Sequence, residues 1–256
     1  MKIQQVAAQL YSVRDHLKTP ADIAVSLQKI RAIGYPAVQL SGLGPIPEAD
    51  LVKLCRDNGL TICATHEGSD MILNEPQKVV AKLKALGCRH TAYPYPSGYK
   101  FDTLKEVKDL AARLNAAGQV LHEAGCVLSY HNHHIEFRRI KNKTVLELIF
   151  KYTNPQYLQG EPDTHWVQRG GGDPVAWCKK LKGRLPLLHM KDYAINAENN
   201  PIFAEIGNGN LNWKKIIAAA EKSGCEWFIV EQDTCPGDPF DSLRLSFEYI
   251  SGKLCK

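Results

Sequence analysis

Six glycines stand at the same place in a repeating phrase. Gly34, Gly59, Gly87, Gly125, Gly183 and Gly224 each close a stretch of helical character and each open a short apolar run, as in Gly59-Leu-Thr-Ile-Cys-Ala64 and Gly224-Cys-Glu-Trp-Phe-Ile-Val230. Glycine takes the left-handed conformation that ends a helix without a steric penalty, so each is expected just past a helix and leading into a strand. The spacings between them are 25, 28, 38, 58 and 41 residues. The interval of 58 fits two units, with the missing boundary at Asn154-Pro155 before Tyr157 to Gly160.

The runs after the glycines are nearly continuous in apolar residues, as parallel strands covered on both faces should be. Strands are predicted over 3–10, 36–41, 60–66, 88–94, 126–133, 157–163, 185–190 and 227–231. Between them, Ile23, Leu27, Ile30 and Ile33 make one helical stripe, and Leu104, Val107, Leu110, Leu114 and Leu121 make another. Eight strands alternating with helices in 256 residues match an α/β fold, a (β/α)₈ TIM barrel forming a single domain over 1–256. An open doubly wound sheet is the alternative. Such sheets place a glycine-rich phosphate loop after the first strand, and Gln9-Leu-Tyr-Ser-Val-Arg14 is not one.

Composition narrows the function classes. Lys plus Arg is 32 against 27 Asp plus Glu, a net charge of +5, which permits an anionic ligand. No basic run of the kind that tracks nucleic acid is present, so no nucleic-acid partner is expected. None of the eight cysteines forms a C-x-x-C pair, and several sit in apolar contexts, which reads as buried free thiols in a reducing compartment. The N-terminal residues lack the apolar core of a signal peptide, and no apolar stretch is long enough to span a bilayer. The expectation is a cytoplasmic protein with no membrane partner.

Polar residues collect where the predicted strands end. They include Gln9 and Arg14, Gln39 and Ser41, His66 and Glu67, and the segment His131, Asn132, His133, His134 and Glu136. Asp163 and His165, then His189, Lys191 and Asp192, then Glu231, Gln232 and Asp233 follow. Barrel enzymes build their sites at this C-terminal rim. Carboxylates and imidazoles leaving strands five to eight suit one divalent ion with positions left open for water and substrate. Oxygen-rich ligation favours Mn²⁺, with Mg²⁺, Co²⁺ or Zn²⁺ as alternatives.

The chain resembles the xylose isomerase-like TIM barrel superfamily, and within it the sugar phosphate isomerase/epimerase group. Relatives there include ketose 3-epimerases, hydroxypyruvate isomerases and inosose dehydratases. The stretches that carry the resemblance are Tyr130-His-Asn-His-His-Ile-Glu-Phe137, Pro162-Asp-Thr-His-Trp166, Gly183 to Asp192, Ala204 to Trp213 and Ile229-Val-Glu-Gln-Asp233. The resemblance implies a metal site of Glu136, Asp163, His189 and Glu231, with Glu136 and Glu231 also transferring protons. His131 and His133 offer alternative ligands in the first of these segments. The chain departs from the ketose 3-epimerases at Trp166, where they carry a substrate-binding histidine. It also offers Lys191 but no clear counterpart of their arginine after the seventh strand.

Epimerising or isomerising a sugar removes a proton beside a carbonyl, and a divalent cation stabilises the enediolate that forms. A carboxylate takes the proton and returns it. His66, His133, Trp166 and Lys191 are the expected substrate contacts, with Glu161 and Asp233 holding the ligands from behind. The expected function is a metal-dependent sugar isomerase or epimerase acting on a small carbohydrate, taken as unphosphorylated because no phosphate cradle is visible. A lyase or dehydratase, or an enzyme cleaving oxidised glycosides, is the second reading. A non-catalytic sugar-binding barrel is the third. Barrels of this kind often associate, so a homo-oligomer is allowed for.

Overall fold

All six repeat glycines take positive φ, from 65° at Gly59 and Gly87 to 123° at Gly34, so each turns the chain out of a helix as its position predicts. The structure is a computed structural model describing residues 1–256. The eight strands that follow are β1 (Val6–Gln9), β2 (Ala37–Leu40), β3 (Thr61–His66), β4 (His90–Tyr93), β5 (Val127–His131), β6 (Gln159–Glu161), β7 (Leu187–Met190) and β8 (Trp227–Val230). They form one parallel sheet in the order β6-β5-β4-β3-β2-β1-β8-β7. Its two ends meet. A parallel bridge joins Asp163 to His189, the Gly160 N–H donates to Arg184 O at 2.6 Å, and the His189 N–H donates to Pro162 O at 3.1 Å. The chain is a single-domain (β/α)₈ TIM barrel, as the repeat implies.

The helices form where periodicity and capping agree. Pro20–Ile33 starts at a Thr19–Asp22 capping box and Leu104–Glu123 at a Thr103–Glu106 box. Ile23, Leu27 and Ile30 on the first, and Val107, Leu110, Leu114 and Leu121 on the second, are buried against the sheet. The main core lies between strands and helices, while a separate cluster of Ala7, Ala37, Cys63, Ala64, Leu187 and Ile229 fills the barrel lumen.

Two hairpins outside the barrel escape the sequence reading, Arg139–Ile140 with Lys143–Thr144 and Asp192–Ile195 with Pro201–Ala204. The first has two-residue strands, and the second, though it carries Tyr193-Ala-Ile195 and Ile202-Phe-Ala204, follows no helix and no repeat glycine. Their tips are turned by Lys141 and Asn199, both at positive φ, a conformation a polar residue adopts without the glycine signal.

Candidate metal centre

Strand alternation builds the site. Side chains two residues apart in a strand share a face. Ala7, Ala37, Leu187 and Ile229 fill the lumen. Two residues further along lie Gln9, Gln39, His189 and Glu231. The same step carries β5 from Ser129 to His131, and carries the chain at β6 from Glu161 to Asp163. The barrel therefore has an apolar floor and a polar mouth.

At that mouth His131, Asp163, His189 and Glu231 each offer a ligand atom, and all four atoms lie within 4.8 Å of one another. His131 Nε2 is 3.3 Å from Asp163 Oδ2, and His189 Nδ1 is 3.0 Å from Glu231 Oε2 and 3.9 Å from Asp163 Oδ2. Asp163 also caps the helix Thr164–Arg169: its Oδ1 accepts from the Trp166 N–H at 3.0 Å. The cap fixes the carboxylate and leaves Oδ2 facing the other three residues.

The structure brings together three of the four expected ligands, Asp163, His189 and Glu231, and sets His131 beside them in the place expected for Glu136. Glu136 lies five residues beyond the end of β5, in the turn Ile135–Phe137, where the chain has left the strand's inward face. Its side chain is fully buried away from the quartet. The Tyr130 hydroxyl donates to Oε1 at 2.9 Å and the His133 N–H to Oε2 at 2.8 Å. Burial pushes its carboxyl up to about 8 against those donors. His131, one of the alternative imidazoles in that segment and the last residue of β5, occupies the corner instead.

Lys191 meets the quartet from one side. Its Nζ lies 2.9 Å from Asp163 Oδ2, 2.7 Å from Glu231 Oε2 and 2.7 Å from Asp233 Oδ2, and the side chain is fully buried. Burial alone would strip the ammonium of its proton, but the three carboxylates hold its pKa well above the usual lysine value. In return, burial raises the carboxyls of Asp163 and Glu231, and Lys191 with the neighbouring histidines outweighs it and keeps both below their ordinary range. Burial also disfavours a charged His189, yet Glu161 and Glu231 push it up to about 10.

Two carboxylates and two imidazoles converging from four strands are a donor set that fits a divalent transition ion.

A cavity of about 370 Å³ opens beside the quartet and reaches His131, Lys191 and Glu231. Of the expected substrate contacts, His66, His133 and Lys191 line it. Trp166 does not; it packs behind His133 with ring centroids 5.4 Å apart. His133 Nδ1 and Trp166 Nε1 are buried without hydrogen-bond partners. Burial, then the nearby His131, pushes His133 down to about 2, so its ring is neutral at ordinary pH. Glu161 is fully buried and its Oε1 lies 3.4 Å from His189 Nε2, whereas Asp233 contacts Lys191 from the cavity wall. Tyr95, from the Tyr93-Pro-Tyr-Pro96 run whose alternating prolines read as a stiff loop beside the pocket, and Tyr11 also line the cavity; nothing in the sequence marks Tyr11 beyond its nearness to a strand end.

A family model described as xylose isomerase-like TIM barrel matches residues 27–250. An inosose dehydratase of Mesomycoplasma hyopneumoniae is 23% identical over 283 residues, covering 96% of this chain and 94% of that protein. A solved structure from Parabacteroides distasonis, described as a sugar phosphate isomerase/epimerase, superposes with a TM-score of 0.83 at 23% identity, covering 97% of this chain and 94% of that one. A xylose isomerase-like barrel from Mycobacterium smegmatis, solved in complex with magnesium, gives a TM-score of 0.75 at 14% identity, covering 98% and 97%. At these identities the structural likeness shows the fold.

Proposed function

The chain belongs to the xylose isomerase-like TIM barrel family, and from that premise we propose a divalent-metal-dependent enzyme that removes the proton beside a carbonyl in a small polyhydroxylated substrate and returns it to give an isomer or epimer. The observation that carries this reading is the convergence of His131, Asp163, His189 and Glu231 within 4.8 Å at the edge of a polar cavity. A magnesium ion in a structural relative is consistent with it.

His131, Asp163, His189 and Glu231 would hold the ion, which when bound supplies positive charge to the carbonyl and adjacent hydroxyl oxygens of the substrate. Glu231 lines the cavity, and Lys191 and His189 outweigh its burial and keep it ionised; its place at the cavity wall makes it the proton acceptor of this reading. Lys191 presents a fixed ammonium on the same side, where negative charge develops. His66 and the neutral ring of His133 face the cavity and give hydrogen-bonding positions for hydroxyls. The unpartnered His133 Nδ1 fits that role, because a buried polar atom without a partner is costly. With Glu136 turned toward Tyr130, Glu231 is the one ligand carboxylate that lines the cavity, beside Glu67 and Asp233, and a single base would shuttle the proton between neighbouring carbons.

One observation favours a second reading. The relative that aligns over nearly its whole length is named an inosose dehydratase. Dehydration begins with the same proton removal and diverges when a hydroxyl β to the carbonyl is expelled. Incubation with Mn²⁺ in D₂O against a panel of ketoses and cyclic polyol ketones tests both. Solvent deuterium at the carbon beside the carbonyl, in a product of unchanged composition, supports the isomerase reading. Loss of water supports the dehydratase. Neither exchange nor water loss with any of them, together with no uptake of divalent ion, would remove both.

A further inference from the structure

Behind the quartet lies a set of side chains that ligand and substrate roles leave unexplained. Gln9, Gln39, Glu161 and His189 are all fully buried in the barrel. Polar groups without partners are costly there, yet these satisfy one another. The amide Nε2 of Gln9 donates to Gln39 Oε1 at 2.7 Å, and Gln39 Nε2 donates to Glu161 Oε1 at 2.7 Å. His189 Nε2 lies 2.6 Å from Gln39 Oε1, and Glu161 Oε2 lies 2.6 Å from His66 Nε2.

The polarity of this chain has one anchor. An ionised carboxylate can only accept, so Gln39 must turn its NH₂ toward Glu161. Its carbonyl oxygen then faces Gln9 and His189. That oxygen also only accepts, so the ring nitrogen it meets, His189 Nε2, must carry a hydrogen. The other ring nitrogen, Nδ1, is the one that faces Asp163 and Glu231.

We infer that Glu161, acting through Gln39, is a positioning residue that keeps the His189 hydrogen on Nε2 and so leaves the Nδ1 lone pair for a divalent cation. The inference rests on the metal reading above. A neutral imidazole offers one donor and one acceptor, and the opposite tautomer would aim N–H at the cation. Partners of this kind behind a ligating histidine set its orientation and basicity. Glu161 thereby acts on two rings, on His189 through Gln39 and from 3.4 Å at Nε2 itself, and on His66 directly.

Zinc titration of the purified protein and ¹⁵N-histidine spectra of its zinc-loaded form test this. Gln39→Met removes the acceptor at nearly constant volume and is expected to weaken zinc binding about 10–100-fold. It should also abolish the slowly exchanging ring N–H resonance of His189 Nε2. Glu161→Gln, nearly isosteric, frees the Gln39 amide to rotate; it should weaken binding about tenfold and shift the His66 ring signals, and it decides the matter where Gln39→Met fails to fold. Affinity within about twofold of the unaltered protein in a folded variant overturns the inference. A weaker affinity with the His189 ring resonance intact also overturns it, because that pattern is packing alone. Failure of the unaltered protein to take up zinc, manganese or cobalt would overturn the proposed function as well, which separates the two.

Discussion

At the scale of single residues, strand parity decided which side chains meet. His131 and Glu136 share one segment, and the residue types alone favour the carboxylate as a ligand for a hard cation. The inward face of β5 belongs to Ser129 and His131, and Glu136 enters a buried niche under Tyr130. Glu136→Gln should therefore leave divalent-ion affinity near that of the unaltered protein, measured by titration. It should also alter the pH dependence of stability. The Glu136 carboxyl is raised to about 8 in the folded chain, so between the ordinary carboxylate range and 8 the folded state binds the proton more tightly than the unfolded state does. Its contribution is fully present below about pH 4.5 and is lost as pH rises through 8, on the order of a few kcal/mol. Melts from pH 5 to 9 should show that decline in the unaltered protein and a flatter profile in the variant. Glu231→Gln is expected to do the opposite to function, lowering solvent deuterium exchange into substrate by about 10²–10⁴-fold while the barrel stays folded.

At the scale of elements, the loop after β7 is organised by one carboxylate. Asp192 accepts from the N–H groups of Tyr193, Gly207, Gly209 and Leu211 and from Trp213 Nε1, the last at 2.6 Å. This explains the stretch Ala204-Glu-Ile-Gly-Asn-Gly-Asn-Leu-Asn-Trp213 as a loop wrapped around a buried anion. A Cβ at Gly209 would stand 2.3 Å from Asp192 Oδ1, so no other residue fits. Asp192→Ala leaves these donors without their acceptor and should cost about 2–4 kcal/mol. Amide exchange should accelerate across 205–213 first, because the barrel strands do not depend on that carboxylate. Equal protection of the loop in variant and unaltered protein would disprove the anchoring role. The repeat glycines and apolar runs make all eight strands and the long helices legible in sequence. The two hairpins are not, because their strands are short, partly exposed and stand outside the glycine-to-strand repeat.

At the scale of the whole molecule, the ring of strands brings acidic groups from two βα units, those of β6 and β8, onto one ammonium that follows β7. The Lys191 ammonium pairs with Asp163, Glu231 and Asp233 and offsets part of their charge. Chelation of metal is therefore expected to leave the barrel folded, with a modest fall in melting temperature. Lys191→Met removes that compensation and exposes three buried carboxylates to one another, a loss on the order of 3–5 kcal/mol. Its metal-free melting temperature should fall by about 10 °C, and Mn²⁺ should restore more of the loss than it adds to the unaltered protein. No helix of the protein is long and apolar enough to cross a membrane. What the sequence by itself determined is everything that depends on near neighbours along the chain: helix stripes, caps, glycine stops, apolar strands and the polar residues that end them. Closure of the barrel decided the rest. Gln9, Gln39, Glu161 and His189 are up to 180 positions apart in the chain; pairing of β1 with β2 sets Gln9 beside Gln39, and the closed ring brings Glu161 and His189 from the far strands within hydrogen-bond reach of Gln39. A hydrogen bond depends on distance and angle, and no pattern of spacing along a chain encodes either.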